Sequence, residues 1–145
     1  MKANPGSRPP RLWLSGLTAL VASVVANVAL WWVSTAVLAI PSEFPPLIGP
    51  APTMFFTTVG VIGGVATFAL IRGFGDHPIR LFRPVAAGAL VLSLVPDIWL
   101  WTDGAAAQFP GASVTAVVVL MVMHVVAAAI VVWAMTGTGP SPAAT

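Results

Sequence analysis

The sequence predicts an all-α integral membrane protein, a bundle of four transmembrane helices built as two helical hairpins with both termini in the cytoplasm. Of its 145 residues, 58% are hydrophobic and only 7% are charged, whereas a soluble domain carries about 25% charged residues. A soluble domain of this length could not bury so much apolar surface in one core, so the composition requires the bilayer as solvent.

Four apolar stretches carry this prediction, at about residues 12–40, 54–71, 85–101 and 114–135. Each is long enough for the roughly 20 residues that cross a ~30 Å hydrocarbon core, and the first is long enough to tilt or to project beyond it. The flanking segments, residues 1–11 and 136–145, are expected to be disordered and cytoplasmic.

Proline and glycine separate the stretches. Pro41 and four further prolines up to Pro52 predict a rigid connection between the first two helices. Pro84 suits the first turn of the third helix, and Ser113 is a plausible N-cap for the fourth.

Charge predicts the orientation. All six basic residues fall before the first helix or between the second and third, namely Lys2, Arg8, Arg11, Arg72, Arg80 and Arg83. The positive-inside rule places both groups on the cytoplasmic side of the cell membrane. The two outer connections contain Glu43 and Asp103 and no basic residue.

A cleaved signal peptide ending near Val37-Leu38-Ala39 is the alternative interpretation of the first stretch. A signal peptide has an apolar region of about 7 to 15 residues, and this stretch is nearly twice as long, so we favour a retained helix.

The composition also limits the chemistry. Without cysteine there are no disulfides and no thiolate metal sites. The basic residues are too sparse for nucleic-acid binding. We predict no cofactor and no metal, because one intramembrane His and one Asp are too few ligands for a secure metal site.

Polar residues within the first helix define one half of a candidate site. Ser23, Asn27 and Ser34 share a stripe, and Trp31 lies one turn beyond Asn27. An unpaired amide in hydrocarbon is expensive, so Asn27 is expected to face the bundle. A structural hydrogen bond between helices and a ligand contact are the two alternatives.

The third and fourth helices supply the other half. Ser93 and Asp97 lie on one face of the third helix, with Pro96 between them as an expected kink, and His124 lies near the centre of the fourth. An intramembrane ionisable residue is a functional-site hypothesis by default. Asp97 and His124 are the candidate catalytic or ligand-binding pair. The alternatives are a carboxylate solvated from outside and a neutral His bonded to a backbone carbonyl or to Asn27.

Together, Asn27, Trp31, Ser93, Asp97 and His124 form the predicted site, which is expected to open towards the outer face. Gly60 and Gly64 form a GxxxG pattern in the second helix. This pattern predicts close helix packing, either within the bundle or across a homodimer.

Four features carry a resemblance to a known family: Ala26-Asn27, the proline-rich outer connection, the run from Ser93 to Asp97 (SLVPD), and Met123-His124. Over residues 12–135 the sequence resembles a family of small four-helix membrane proteins of unknown function from GC-rich, actinobacterial-type bacteria. The resemblance implies the topology and no activity.

Three functions compete at this point. The leading hypothesis is non-enzymatic binding of a lipid or hydrophobic molecule, or assembly with another membrane protein. The second is a small proton-coupled exporter acting as a dimer, although such exporters carry an essential Glu where this first helix has only Asn27. The third is an intramembrane isomerase or cyclase with Asp97 as general acid and His124 as the base or an electrostatic partner.

Overall fold

A computed structural model describes residues 12–74, 76–101 and 108–137. Within these ranges the chain forms four α-helices, one short 3₁₀ helix and no strand. The α-helices are α1 (Leu12–Val37), α2 (Pro50–Phe74), α3 (Pro78–Trp99) and α4 (Val114–Thr136), and the 3₁₀ helix is Pro45–Leu47. The predicted all-α four-helix bundle is confirmed. The predictions for residues 1–11, for Asp103 and for residues 138–145 lie outside the described ranges. The predicted tail begins one residue too early, because Thr136 is the last residue of α4.

The outer surface of the bundle is apolar. Each α-helix is long and apolar enough to cross a membrane, yet only 11% to 22% of its most hydrophobic window is buried inside the structure. Trp32 and Val91, for example, are 67% and 64% exposed. Water does not stabilise such a surface, whereas lipid does. The chain is therefore a small multi-pass membrane protein.

Two helices begin earlier than the sequence suggested. The starts of α2 and α3 are Pro50 and Pro78 rather than residues near 54 and 85. Proline is favoured in a first helical turn, because its missing N–H would have no partner there. Pro84, expected in the first turn, and Pro96 both lie inside α3. α4 begins as predicted, and the Ser113 hydroxyl accepts a 3.2 Å hydrogen bond from the Ala116 N–H.

The helices pack around α4, which contacts all three others. α2 also contacts both α1 and α3. α1 and α3 therefore lie on opposite sides of the α2–α4 pair. We call the end of the bundle that carries Arg72, Arg80 and Arg83 the arginine end, and the opposite end, with the α1–α2 connection, the loop end. This arrangement places α4 where residues from every helix can meet.

Two apolar clusters fill the bundle. The cluster at the loop end comprises Phe44, Leu47, Leu100, Ala116, Val117, Val119 and Met123. The cluster at the arginine end comprises Ala19, Val61, Phe68, Phe82, Val131, Ala134 and Met135. Of the six buried polar side chains in the described ranges, Ser34 and Thr53 lie nearer the loop end, and the other four lie on the helical segments between these clusters, namely Ser23, Asn27, Thr57 and Asp97. The interior thus has a polar layer near mid-depth, and the candidate site belongs to it.

The two connections at the loop end pack against each other at Gly111. This glycine has a φ of 77°, and a Cβ there would lie 2.9 Å from the Phe44 backbone nitrogen and 3.0 Å from Pro41 Cβ. Both the left-handed backbone and the close approach favour glycine. The contact holds the α1–α2 connection over the end of the bundle, with Phe44 fully buried beneath it.

Candidate functional site

Asn27 joins three helices through its side-chain amide. Its Nδ2 donates to the Thr57 hydroxyl of α2 at 3.0 Å and to the Met123 carbonyl of α4 at 3.3 Å. The stripe predicted for α1 faces the interior, since Ser23, Asn27 and Ser34 are all buried. Two donated bonds to neighbouring helices make Asn27 a structural link, and His124 is not its partner.

The other polar atoms beside Asn27 are enclosed. Asn27 Oδ1 and Ser23 Oγ have no hydrogen-bond partner among the described residues, and both side chains are almost fully shielded. They lie one turn apart on α1 and face α2 and α4 rather than the lipid. This part of the predicted site offers no surface to an outside ligand.

Trp31 closes the loop end. Its indole Nε1 donates a 2.8 Å hydrogen bond to the Leu47 carbonyl in the 3₁₀ helix. Trp31 also packs against the loop-end cluster, in which Phe44 and Leu47 are 0% and 3% exposed. The expected opening towards this end is therefore filled by side chains. The only polar side-chain atom of Trp31 is already bonded, so this side chain links α1 to the α1–α2 connection.

Asp97 and His124 lie side by side where α3 meets α4. The distance from Asp97 Oδ2 to His124 Nδ1 is 3.0 Å. The two side chains differ sharply in accessibility, because that of Asp97 is 3% exposed and that of His124 is 38% exposed. The carboxylate is thus shielded behind the ring, and any molecule outside the bundle meets the imidazole first.

The backbone fixes which ring nitrogen remains available. His124 Nδ1 also lies 3.0 Å from the Leu120 carbonyl, one turn earlier in α4. A carbonyl only accepts, so this bond requires a hydrogen on Nδ1, an assignment that follows from the hydrogen-bond pattern. Nε2 is then the nitrogen that can interact with a ligand. In the neutral ring Nε2 is an acceptor.

Ser93 adds little to this pair. Its hydroxyl donates a 2.7 Å hydrogen bond to the Leu90 carbonyl of its own helix, and the residue is half-buried. Such a bond to a preceding carbonyl satisfies a serine inside a lipid-exposed helix. The Ser93 donor is therefore already used within α3.

The five predicted residues thus fall into two groups. Asn27 and Trp31 lie in the closed interior and at the loop end, whereas Asp97 and His124 form a pair in which only the imidazole is accessible, with Ser93 on the same face of α3. Leu47, Thr57 and Leu120 were not predicted from the sequence as hydrogen-bond partners of these side chains. Backbone acceptors leave no mark in a sequence, but a hydroxyl at membrane depth in α2 was a usable signal for the partner of Asn27.

The two glycines of the GxxxG pattern have different surroundings. A Cβ on Gly64 would lie 3.0 Å from Val131 Cγ1 of α4, so this glycine packs inside the bundle. A Cβ on Gly60 would have no atom within 4 Å. Of the two glycines, Gly64 therefore packs against α4, whereas Gly60 has open space beside it.

No group of three His, Cys, Asp or Glu side chains that could hold a metal ion occurs in the part of the chain that the structure describes. At the Asp97–His124 pair, the imidazole ring is the group that a ligand can reach. Asp97 and the Leu120 carbonyl orient the ring through their contacts with His124 Nδ1. The arrangement can hold one polar group of a ligand at membrane depth.

Comparison with known families gives a match over residues 7–141, to a family of unknown function termed DUF6069. This chain belongs to the DUF6069 family. Neither a curated protein nor a solved structure matches it. The DUF6069 match covers all four helices and both halves of the candidate site.

Proposed function

We propose that this protein is a non-enzymatic membrane protein that binds a lipid or another small hydrophobic molecule at His124. One observation carries the proposal: the imidazole is 38% exposed, while the Asp97 carboxylate that orients it is 3% exposed. The ring is oriented by a buried carboxylate on one side and is exposed on the other. This arrangement suits ligand binding better than stabilisation of the bundle.

The depth of His124 supports a ligand drawn from the bilayer. It is ten residues from the start of α4 and twelve from its end, which puts it about 15 Å from one end of the helix and about 18 Å from the other. Ionisable side chains at such a depth are expensive and mark functional sites. A polar group on an otherwise apolar ligand would satisfy the ring there.

Binding suits the geometry better than catalysis. Acid–base chemistry on a substrate requires proton-transferring groups within hydrogen-bond reach of it. Asp97 is buried against the ring, and the Ser93 hydroxyl is bonded to Leu90. One reachable nitrogen suffices to hold a ligand, whereas an isomerase or cyclase that used Asp97 as its general acid would need that carboxyl exposed.

Replacing His124 with leucine tests the proposal. We expect native mass spectrometry of the protein, purified in mild detergent, to show a bound lipid or hydrophobic molecule. His124→Leu is expected to lose this adduct while keeping its helical circular dichroism, because leucine fills the space without a polar atom. Val125→Leu, at a neighbouring exposed position of α4, is the matched control and is expected to keep the adduct.

Three results would contradict simple binding. Equal adduct in wild type and His124→Leu would remove His124 from the site. Proton-linked flux in liposomes that Asp97→Asn abolishes would favour the exporter. Turnover of a bound molecule by the wild type, lost in the same variant, would favour the enzyme.

We further propose that the arginine end faces the cytoplasm of a cell membrane. Arg72, Arg80 and Arg83 are exposed there, and cationic side chains cluster on the cytoplasmic side of membranes. Since the chain has no cysteine, His77→Cys and Ser42→Cys each give a single label site. A membrane-impermeant maleimide is expected to label Ser42→Cys in intact cells and His77→Cys only after permeabilisation. The reverse pattern would overturn this orientation.

A further inference from the structure

We propose that the ligand reaches His124 sideways from the bilayer, through an opening between α2 and α3 bounded by Gly60, and that it is an uncharged chain-like molecule with one hydroxyl group. The inference rests on the proposed binding function and adds to it a route and a chemical class. Two interruptions in helix packing, at the same depth on two helices, carry it.

The first interruption is on α4. Residues seven apart lie on nearly the same face of a helix, so Val117, His124 and Val131 form one line along α4. Val117 and Val131 are 0% and 6% exposed, whereas the His124 side chain between them is 38% exposed. The face is therefore packed above and below His124 and open at its level.

The second interruption is on α2. Gly60 shares a face with Thr53 and Thr57, which are 4% and 8% exposed, and with Gly64, which abuts Val131. Gly60 itself is exposed and has open space where a Cβ would be. The inward face of α2 therefore also loses its packing at one position.

The two interruptions lie at one depth. Thr57 of α2 and Met123 of α4 bond the same Asn27 amide, so these residues are level with each other. Gly60 is three residues from Thr57, or about 4.5 Å along the axis, and His124 follows Met123 directly. The spaces beside Gly60 and His124 thus belong to one opening.

The course of α3 places this opening between α2 and α3. Near the arginine end, Phe82 of α3 packs edge-to-face on Phe68 of α2, with ring centroids 5.0 Å apart. Near the loop end, α3 is held to α4 instead, through Asp97 and through Leu100 in the loop-end cluster. Phe82 also lies in the cluster with Ala134 and Met135, so α3 packs against both α2 and α4 near the arginine end. Its divergence from α2 towards the loop end leaves Gly60 uncovered.

The surroundings define the chemistry of the occupant. Nδ1 lies 3.0 Å from both the Leu120 carbonyl and Asp97 Oδ2, so the neutral ring presents Nε2 as an acceptor, which pairs with a hydroxyl donor. The hydrocarbon depth disfavours a charged headgroup. The α2 wall is apolar, with Phe56 61% exposed one turn from Gly60. A long-chain alcohol meets all three conditions.

The test uses a photoactivatable hexadecanol with a mid-chain diazirine, added to the full-length protein in phosphatidylcholine vesicles, and its methyl ether as the probe without a donor. We expect crosslinks to the α2 and α3 segments facing His124, at a yield about fivefold higher for the alcohol than for the ether. Gly60→Leu and His124→Leu are each expected to reduce the alcohol yield by about fivefold. Gly88→Leu is the control, because Gly88 has open space and lies nine residues, about half a turn in azimuth, from Asp97 on α3.

A second variant guards against misfolding. Gly60→Phe fills the same space with a different side chain. It is expected to keep the helical circular dichroism of the wild type and to lower the crosslinking as Gly60→Leu does. Full crosslinking in both blocked proteins, with loss in His124→Leu, would overturn the route and leave the binding function standing. If His124→Leu did not lower the crosslinking, both the route and the binding function would be overturned. Equal crosslinking yields for the alcohol and the ether would overturn the assignment of a hydroxyl group to the ligand. A dimer that Gly60→Leu converts to monomer would show that a second copy fills the opening.

Discussion

Replacing Phe44 with alanine is expected to lower the free energy of unfolding by about 3 kcal/mol or more, the usual effect of truncating a fully buried phenylalanine. Phe44 is 0% exposed and lies in the loop-end cluster with Leu47 and Leu100. It is also the residue whose backbone Gly111 approaches. Unfolding by sodium dodecyl sulfate in mixed micelles, followed by circular dichroism, measures the change.

Phe55→Ala is the matched control for Phe44→Ala. Phe55 is 62% exposed on α2, so its truncation removes a side chain from the lipid-facing surface and leaves the core intact. We expect an unfolding free energy close to that of the wild type. Similar losses in both variants would mean that the loop-end cluster does not hold the α1–α2 connection over the bundle.

Gly64→Leu is expected to destabilise the bundle by about 1–3 kcal/mol, the typical effect of adding bulk to a packed contact. A Cβ at Gly64 would already lie 3.0 Å from Val131 Cγ1, which is tight even for alanine. A leucine would push α2 away from α4 along their contact. The same micelle unfolding experiment reports the loss.

Gly60→Leu supplies the comparison on the same helix, one turn away. A Cβ at Gly60 would have open space within 4 Å, so the substitution is expected to change the unfolding free energy by less than about 0.5 kcal/mol. The two glycines share one sequence pattern and differ in their surroundings. If Gly60→Leu destabilised the protein as much as Gly64→Leu, the opening beside Gly60 would be closed in the folded molecule.

The fold was largely predictable because the bilayer imposes simple rules. Apolar length sets which segments cross, and every backbone polar group must be bonded within a helix. The boundaries of α3 were not predictable, since Pro84 is equally compatible with a first turn and with a kink inside a longer helix. Hydropathy also gave no sign of the loop-end cluster, because Phe44 lies among prolines outside the apolar stretches.

The candidate site was predictable as a set of residues and much less as a geometry. Polar side chains at membrane depth are few, so Asn27, Asp97 and His124 stand out in the sequence. Their grouping depends on the register and lean of four helices, which no spacing within one helix reveals. Trp31 looked like part of a ligand site, but its indole N–H bonds the Leu47 carbonyl, sixteen residues away.

The hydrogen bonds of Asn27 have a consequence for biogenesis. Its two acceptors lie 30 and 96 residues further along the chain, so both enter the membrane later than Asn27. Thr57 arrives with α2, and the first hairpin can satisfy one bond while the nascent chain is still growing. The Met123 carbonyl arrives only with the last helix, so insertion of α4 completes the assembly.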